Sequence, residues 1–212
     1  MSIGNKFLSR FSIFDLLIIA MMAALGIAIK PIVTPLVHMI SAPLMIPGGA
    51  LGGGLYMMWI VVAAGITGRR GTATLVALVQ ALMVLFTGVV GSHGIMSLVS
   101  YLLPGLAVDL VLLVSGPRVC CLPCAFAAGA AANLAGTFAV NSIFFNLPFA
   151  FLMLTLAVAL LSGGIGGILA WQLLKVMRKY YLVGKVAKSP RRFFGGKKSE
   201  ACAENSAETA VD

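Results

Sequence analysis

The chain has 212 residues, of which 60% are hydrophobic and 10% charged, with a formal net charge of +9 and a mean hydropathy of +1.06. A soluble domain carries about 25% charged residues, so this composition excludes an ordinary soluble fold and predicts an integral membrane protein built as one compact bundle. The positive residues sit in short connections and in the C-terminal tail, where orientation signals of membrane proteins lie, and this argues against a nucleic-acid partner.

Residues 1–12 form a short polar segment with Lys6 and Arg10. No A-x-A-like cleavage site follows the first apolar run, so no cleavable signal peptide is expected. The first span, Ile13 to Ile29, is long enough to cross a bilayer core. Asp15 falls in its first turn, where a carboxylate suits the positive helix end. Ala20, Ala24 and Ala28 recur every four residues and share one face. Such a strip lets two helix backbones approach closely. It serves either another helix of the same chain or a partner membrane protein.

Lys30-Pro31 is expected to end or kink this helix. Pro31 to Pro47 reads as a proline-punctuated, still apolar connector that contains His38 and folds back over the bundle as a re-entrant or capping loop. A second span covers about Gly48 to Ile66, with a glycine-rich start and with Tyr56 and Trp59. Gly68-Arg69-Arg70-Gly71 is a tight basic turn. A third span, about Thr72 to Val90, carries Gln80 near its middle. Gly91-Ser92-His93-Gly94 forms the next turn, and a fourth span covers about Ile95 to Val114 with Ser97, Ser100, Tyr101, Pro104 and Asp109.

The fifth span, about Leu122 to Val140, is Ala- and Gly-rich and holds Asn133 and Thr137. Asn141 to Pro148 reads as a loop. The sixth span, about Phe149 to Leu174, contains Gly163, Gly164, Gly166 and Gly167. The expected architecture is therefore all-α: a polytopic membrane domain of six transmembrane helices over residues 13–180. A basic and then acidic tail, 181–212, has a composition expected to be disordered. Alternation of the spans puts Lys6, Arg10, Arg69, Arg70, Arg118 and the basic run after Lys175 on one side. The positive-inside rule makes that side cytoplasmic and places both termini there, in a multi-pass protein of the cell membrane. Only Lys30 falls on the other side.

Polar groups inside a membrane are costly and often functional. His38, Gln80, His93, Ser97, Tyr101, Asn133, Thr137 and Asn141 skew toward the outer half or the midplane. Together they could line an outward pocket that holds a small polar molecule by hydrogen bonds. The competing reading makes Gln80 and Asn133 interhelical packing bonds. Asp109 either relays a proton or cation, pairs with a nearby arginine, or hydrogen-bonds a neighbouring helix. Cys120, Cys121 and Cys124 have no nearby His or acid to complete a metal site, so no metal or cofactor is expected. Enzyme motifs are absent: Ser92 and His93 are adjacent and cannot form a dyad between separate helices, and there is no Walker A sequence.

The predicted helices, the Ala20–Ala24 spacing extended by Ala28, and the long apolar outer connector resemble the substrate-binding S components of energy-coupling factor (ECF) transporters. The stretch Pro47 to Asp109 also looks like members associated with thiamine-related or hydroxymethylpyrimidine uptake in bacteria. The resemblance implies a non-enzymatic subunit that captures a vitamin or vitamin precursor outside. It docks through helix 1 to a coupling transmembrane subunit driven by two cytoplasmic ATPases. The connector would lid a pocket in which the polar residues of the fourth and fifth spans bind ligand. Thiamine is a cation, and the outer half offers Tyr101 and Phe144-Phe145 but no acid. A neutral pyrimidine-like ligand fits better, and Lys30 with His38 also allows a weakly anionic one. The rival class is a self-sufficient small secondary transporter, for which no convincing internal repeat is legible, or a structural membrane subunit.

Overall fold

A computed structural model describes residues 11–43, 47–87, 96–116, 119, 121–145 and 148–185. The described residues are helical, with no strands. In chain order the elements are α1 (Ile13–Ala28), α2 (Lys30–Ser41), α3 (Gly48–Thr67), α4 (Thr72–Thr87), α5 (Met96–Ser115), α6 (Leu122–Val140), a π-helical turn (Asn141–Phe145) and α7 (Phe149–Lys185). Five stretches are long and apolar enough to cross a membrane: Ile13–Ser41, Gly48–Thr67, Leu98–Ser115, Leu122–Ile143 and Phe149–Lys179. Thr72–Phe86 is a shorter apolar helix. The chain divides into two compact units, Met1–Trp171 and Gln172–Asp212. The first holds every site described below. The second carries the last turns of α7.

The interior is made of small side chains and the exterior of large ones. On α3 and α6 the buried positions include Gly52, Gly53, Gly54, Ala63, Ala64, Ala128, Gly129 and Ala132. Phe14, Leu17, Met21, Leu110, Phe138 and Leu161 are exposed. Lipid is as apolar as leucine, so burying large side chains gains little there. Close backbone approach gains dispersion contacts instead.

Three helices meet backbone to backbone. A Cβ on Gly54 or Gly166 would collide with the other helix, and so would one on Gly129, Gly163 or Gly167. The Ser162 hydroxyl sits in this seam, donating to the Leu51 carbonyl and accepting from the Gly54 N–H at 3.3 Å. The glycine groups of the second and sixth spans thus do what their composition suggests.

The connector differs from its expected form. Ile29 keeps right-handed helical dihedrals (φ −74, ψ −23) and its N–H reaches the Leu25 carbonyl, so α1 bends into α2 instead of ending. Pro31 lies in the first turn of α2, where a missing N–H costs nothing. Pro35 removes one further bond and leaves the rest. The segment read as a re-entrant loop is a helix to Ser41. Likewise the loop expected after Val140 begins as a π-helical continuation of α6. α7 runs to Lys185, well past the expected end at Leu174.

The α3–α4 turn is tightly built. Gly68 caps α3 at φ +59 and Gly71 stands at φ +88, conformations that glycine adopts at no steric cost. Asp109 of α5 accepts from the Gly71 N–H at 3.2 Å, the Thr74 N–H at 2.8 Å and the Thr74 hydroxyl at 2.5 Å. It thereby caps the start of α4 from a neighbouring helix, the third of its three expected roles. Arg69 pairs with Asp15 at 2.9 Å, and Asp15 also accepts from the Ser12 N–H at 2.9 Å.

Candidate functional site

The bend between α1 and α2 turns Lys30 into the bundle, where it is 7% exposed. Its amine donates to the Tyr101 hydroxyl of α5 at 2.5 Å. It lies 3.8 Å from the Tyr101 ring centre and 5.4 Å from that of Tyr56 on α3, within the range of cation–π attraction. The Tyr56 hydroxyl shares a 3.1 Å hydrogen bond with Thr34 of α2. Gly52, four residues before Tyr56, makes room for its ring: a Cβ there would lie 2.9 Å from the Tyr56 hydroxyl. Three elements, α2, α3 and α5, therefore meet around one amine.

Four residues before Lys30, across the bend at Ile29, Gly26 is also buried. A Cβ on Gly26 would strike the Gln80 amide nitrogen from α4, and it would stand 3.6 Å from the Trp59 Cβ of α3. Gln80 is 3% exposed. Its Nε2 and the Trp59 Nε1 have no hydrogen-bond partner among the described residues. An unpaired buried donor carries its full desolvation cost, so two such donors beside a buried lysine are unusual.

The other candidates distribute as follows. Asn133 of α6 gives its Nδ2 to the Ala50 carbonyl at 3.0 Å and the Ala159 carbonyl at 2.8 Å. It ties α3, α6 and α7 together, as the packing reading expects. Thr137 donates to the Asn133 Oδ1 at 3.5 Å. Asn141 is 2% exposed, and both of its side-chain polar atoms lack a partner among the described residues. His38 is exposed, with its ring beside the start of α3: a Cβ on Gly48 would lie 3.0 Å from the His38 Cε1. Ser97 lies in the first turn of α5. His93 falls outside the described residues.

Tyr101 meets Lys30, and Gln80 packs against Gly26, four residues earlier in the chain, whereas Asn133 and Thr137 belong to the glycine seam. Thr34, Tyr56 and Trp59 were absent from the expected site, and Lys30 was expected only beside His38 on the connector. The available signal was Lys30 itself, the one cation on the wrong side for the positive-inside rule.

Ala20, Ala24 and Ala28 are exposed, while Ile19, Met22, Ala23, Gly26 and Ile27 of the same helix are buried. The strip therefore faces away from the rest of this chain. Among the described residues no group of three or more His, Cys, Asp or Glu is placed to hold a metal ion.

Residues 14–135 match the family described as the permease component of an ABC-type cobalt transport system. No curated protein matches the chain. The chain is similar to a solved structure described as the crystal structure of an S-component of ECF transporter. The two are 18% identical, the match covers 92% of this chain and 98% of that one, and the TM-score is 0.70. At this identity the likeness is one of fold.

Proposed function

The chain belongs to the family of the permease component of ABC-type cobalt transport systems, and from that premise we propose that it is the membrane-embedded substrate-binding component of an ECF-type importer. In this reading six helices cross the bacterial cell membrane with both termini cytoplasmic. The chain catalyses nothing itself. It captures a small vitamin or vitamin precursor outside and delivers it inward after docking to a coupling subunit driven by two cytoplasmic ATPases.

The observation that carries the reading is the cluster at the α1–α2 bend. A lysine, two tyrosines and a threonine are gathered inside a helix bundle whose interior is rich in Ala, Gly and Val. Polar groups are expensive at such a place, and ligand recognition is their usual reason. Exposure of Ala20, Ala24 and Ala28 supports docking through α1.

The family's description names cobalt. Lys30 at the centre of the cluster repels a divalent cation, and its neighbours Tyr56 and Tyr101 bring no carboxylate. The same argument disfavours thiamine, which is itself a cation. Within the thiamine-related and hydroxymethylpyrimidine uptake group, a ligand without positive charge suits these residues.

The test is co-purification. The tagged chain is expressed with a candidate coupling subunit and its ATPases, with Ala24 intact and as Ala24→Trp. A stable complex that the tryptophan variant loses is the expected result. Absence of any complex would move the assignment to a self-sufficient secondary carrier or a structural membrane subunit, and ion-coupled uptake would then be measured.

A further inference from the structure

We infer that the molecule bound by this chain carries an anionic, acceptor-only group, a carboxylate or phosphate, which is received by Lys30 together with the N–H groups of Trp59 and Gln80. The inference rests on the proposed substrate-binding role and names its chemistry.

The sequence contains six acidic residues in all. Asp15 and Asp109 are the two that precede residue 200, and both are engaged at the α3–α4 turn, with Arg69 and with the start of α4. Asp15 is fifteen residues before Lys30, about 22 Å along the helix at 1.5 Å per residue. The others, Glu200, Glu204, Glu208 and Asp212, lie outside the described residues. Among the described residues Lys30 therefore has no carboxylate. Two tyrosine rings compensate an ammonium in part. A buried charge without a counterion is otherwise strongly unfavourable.

Hydrogen bonding gives the same answer independently. An ammonium has three N–H donors, and Tyr101 takes one. Trp59 Nε1 is a donor that can never accept. Gln80 Nε2 is also a donor, and neither has a partner among the described residues. Gly26 precedes Lys30 by four residues, across the bend at Ile29, and both are buried. Trp59 follows Tyr56 by three residues on α3, so the tyrosine and the tryptophan form a parallel column. The unmatched groups of Lys30, Trp59 and Gln80 are thus all donors, drawn from three helices. A cationic or donor-rich ligand would deepen this imbalance. A group with two or three acceptor oxygens and a negative charge removes it.

The experiment uses the full chain purified in detergent. Intrinsic tryptophan fluorescence and the thermal unfolding midpoint are followed while sodium acetate, and separately sodium phosphate, replaces sodium chloride at constant ionic strength. The expected result is a saturable response to at least one of these anions, weakened tenfold or more in Lys30→Met and in Trp59→Phe/Gln80→Leu, and retained in Lys30→Arg. A response that never saturates, or one of equal strength in Lys30→Met, overturns the inference. A second measurement guards against a variant that merely unfolds. In chloride alone, Lys30→Met should melt at the wild-type temperature or above it, because an uncompensated charge has been removed. A lower midpoint would make Lys30 a structural partner of Tyr101 and also overturn the inference. Complex formation of the wild-type chain with its coupling module is read separately. A retained complex without anion binding leaves the functional reading standing and removes only this one.

Discussion

The two ends of α1 solve the same problem in opposite ways. Near its start, charged groups are matched: Asp15 holds Arg69 and the Ser12 N–H, and Asp109 holds three donors at the head of α4. At its far end, Lys30, Trp59 and Gln80 bring donors in excess of the acceptors found among the described residues. A matched network fixes a turn and has no further capacity. An unmatched one costs stability until something outside the chain completes it. The contrast separates polar residues that hold the fold from those that are available to a ligand, which residue type alone does not do.

The sharpest way to break the matched end is Asp109→Ala. It leaves two backbone N–H groups and the Thr74 hydroxyl without their acceptor, and should cost about 3 kcal/mol, since hydrogen bonds to charged groups contribute about 1.5–3 kcal/mol each and overlap here. Thermal unfolding in detergent checks it, and a midpoint like that of wild type would show that α4 does not depend on the cap. Next comes Asn133→Leu, which removes the bonds to Ala50 and Ala159. Interhelical bonds in membranes average about 0.6 kcal/mol, so about 1–2 kcal/mol is expected, with the anion response intact. Loss of that response would move Asn133 from the seam to the binding site.

Smaller effects test the comparison more finely. Asp15→Asn should cost only about 0.5 kcal/mol, because the Arg69 side chain is 46% exposed and solvent screens the pair. A drop several times larger would mean the pair is shielded from solvent. Trp59→Phe should change stability by less than about 0.5 kcal/mol, because the lost donor has no partner to abandon. A clear destabilisation would reveal a structural bond for Nε1. Read together, the large loss at Asp109 and the negligible one at Trp59 should separate the two ends of α1.

Much of this was legible in the sequence, and for identifiable reasons. Apolar runs as long as Ile13–Ile29 and Leu122–Val140 admit few readings, and their bounds came within a residue or two of α1 and α6. The alanine repeat predicted a smooth face, but spacing alone could not say whether it turned inward. Exposure of Ala20, Ala24 and Ala28 answers that. The connector was misread because proline was weighted as a helix breaker. Pro31 falls in a first turn, where its missing N–H has no consequence. The position of Lys30 differs for a related reason. Lys30 was assigned to the outer loop that this break implied, and a continuing helix carries it into the bundle instead. Asn133 and Gln80 looked equivalent in sequence, and only the third dimension separates the bonded amide from the unbonded one.

The glycine seam has a mechanical consequence. Where Gly54 meets Gly166, and Gly129 meets Gly163 and Gly167, no layer of side chains separates the helices, so there are no rotamers to yield under load. α3, α6 and this part of α7 form a stiff plate that translates or tilts as one piece. Compliance is left to the bend at Ile29, where Pro31 and Pro35 have already thinned the ladder of backbone bonds. Amide exchange should therefore be slowest along the plate and fastest on α2. The contrast is therefore between a seam closed by backbone contact and a helix whose own hydrogen-bond ladder is interrupted.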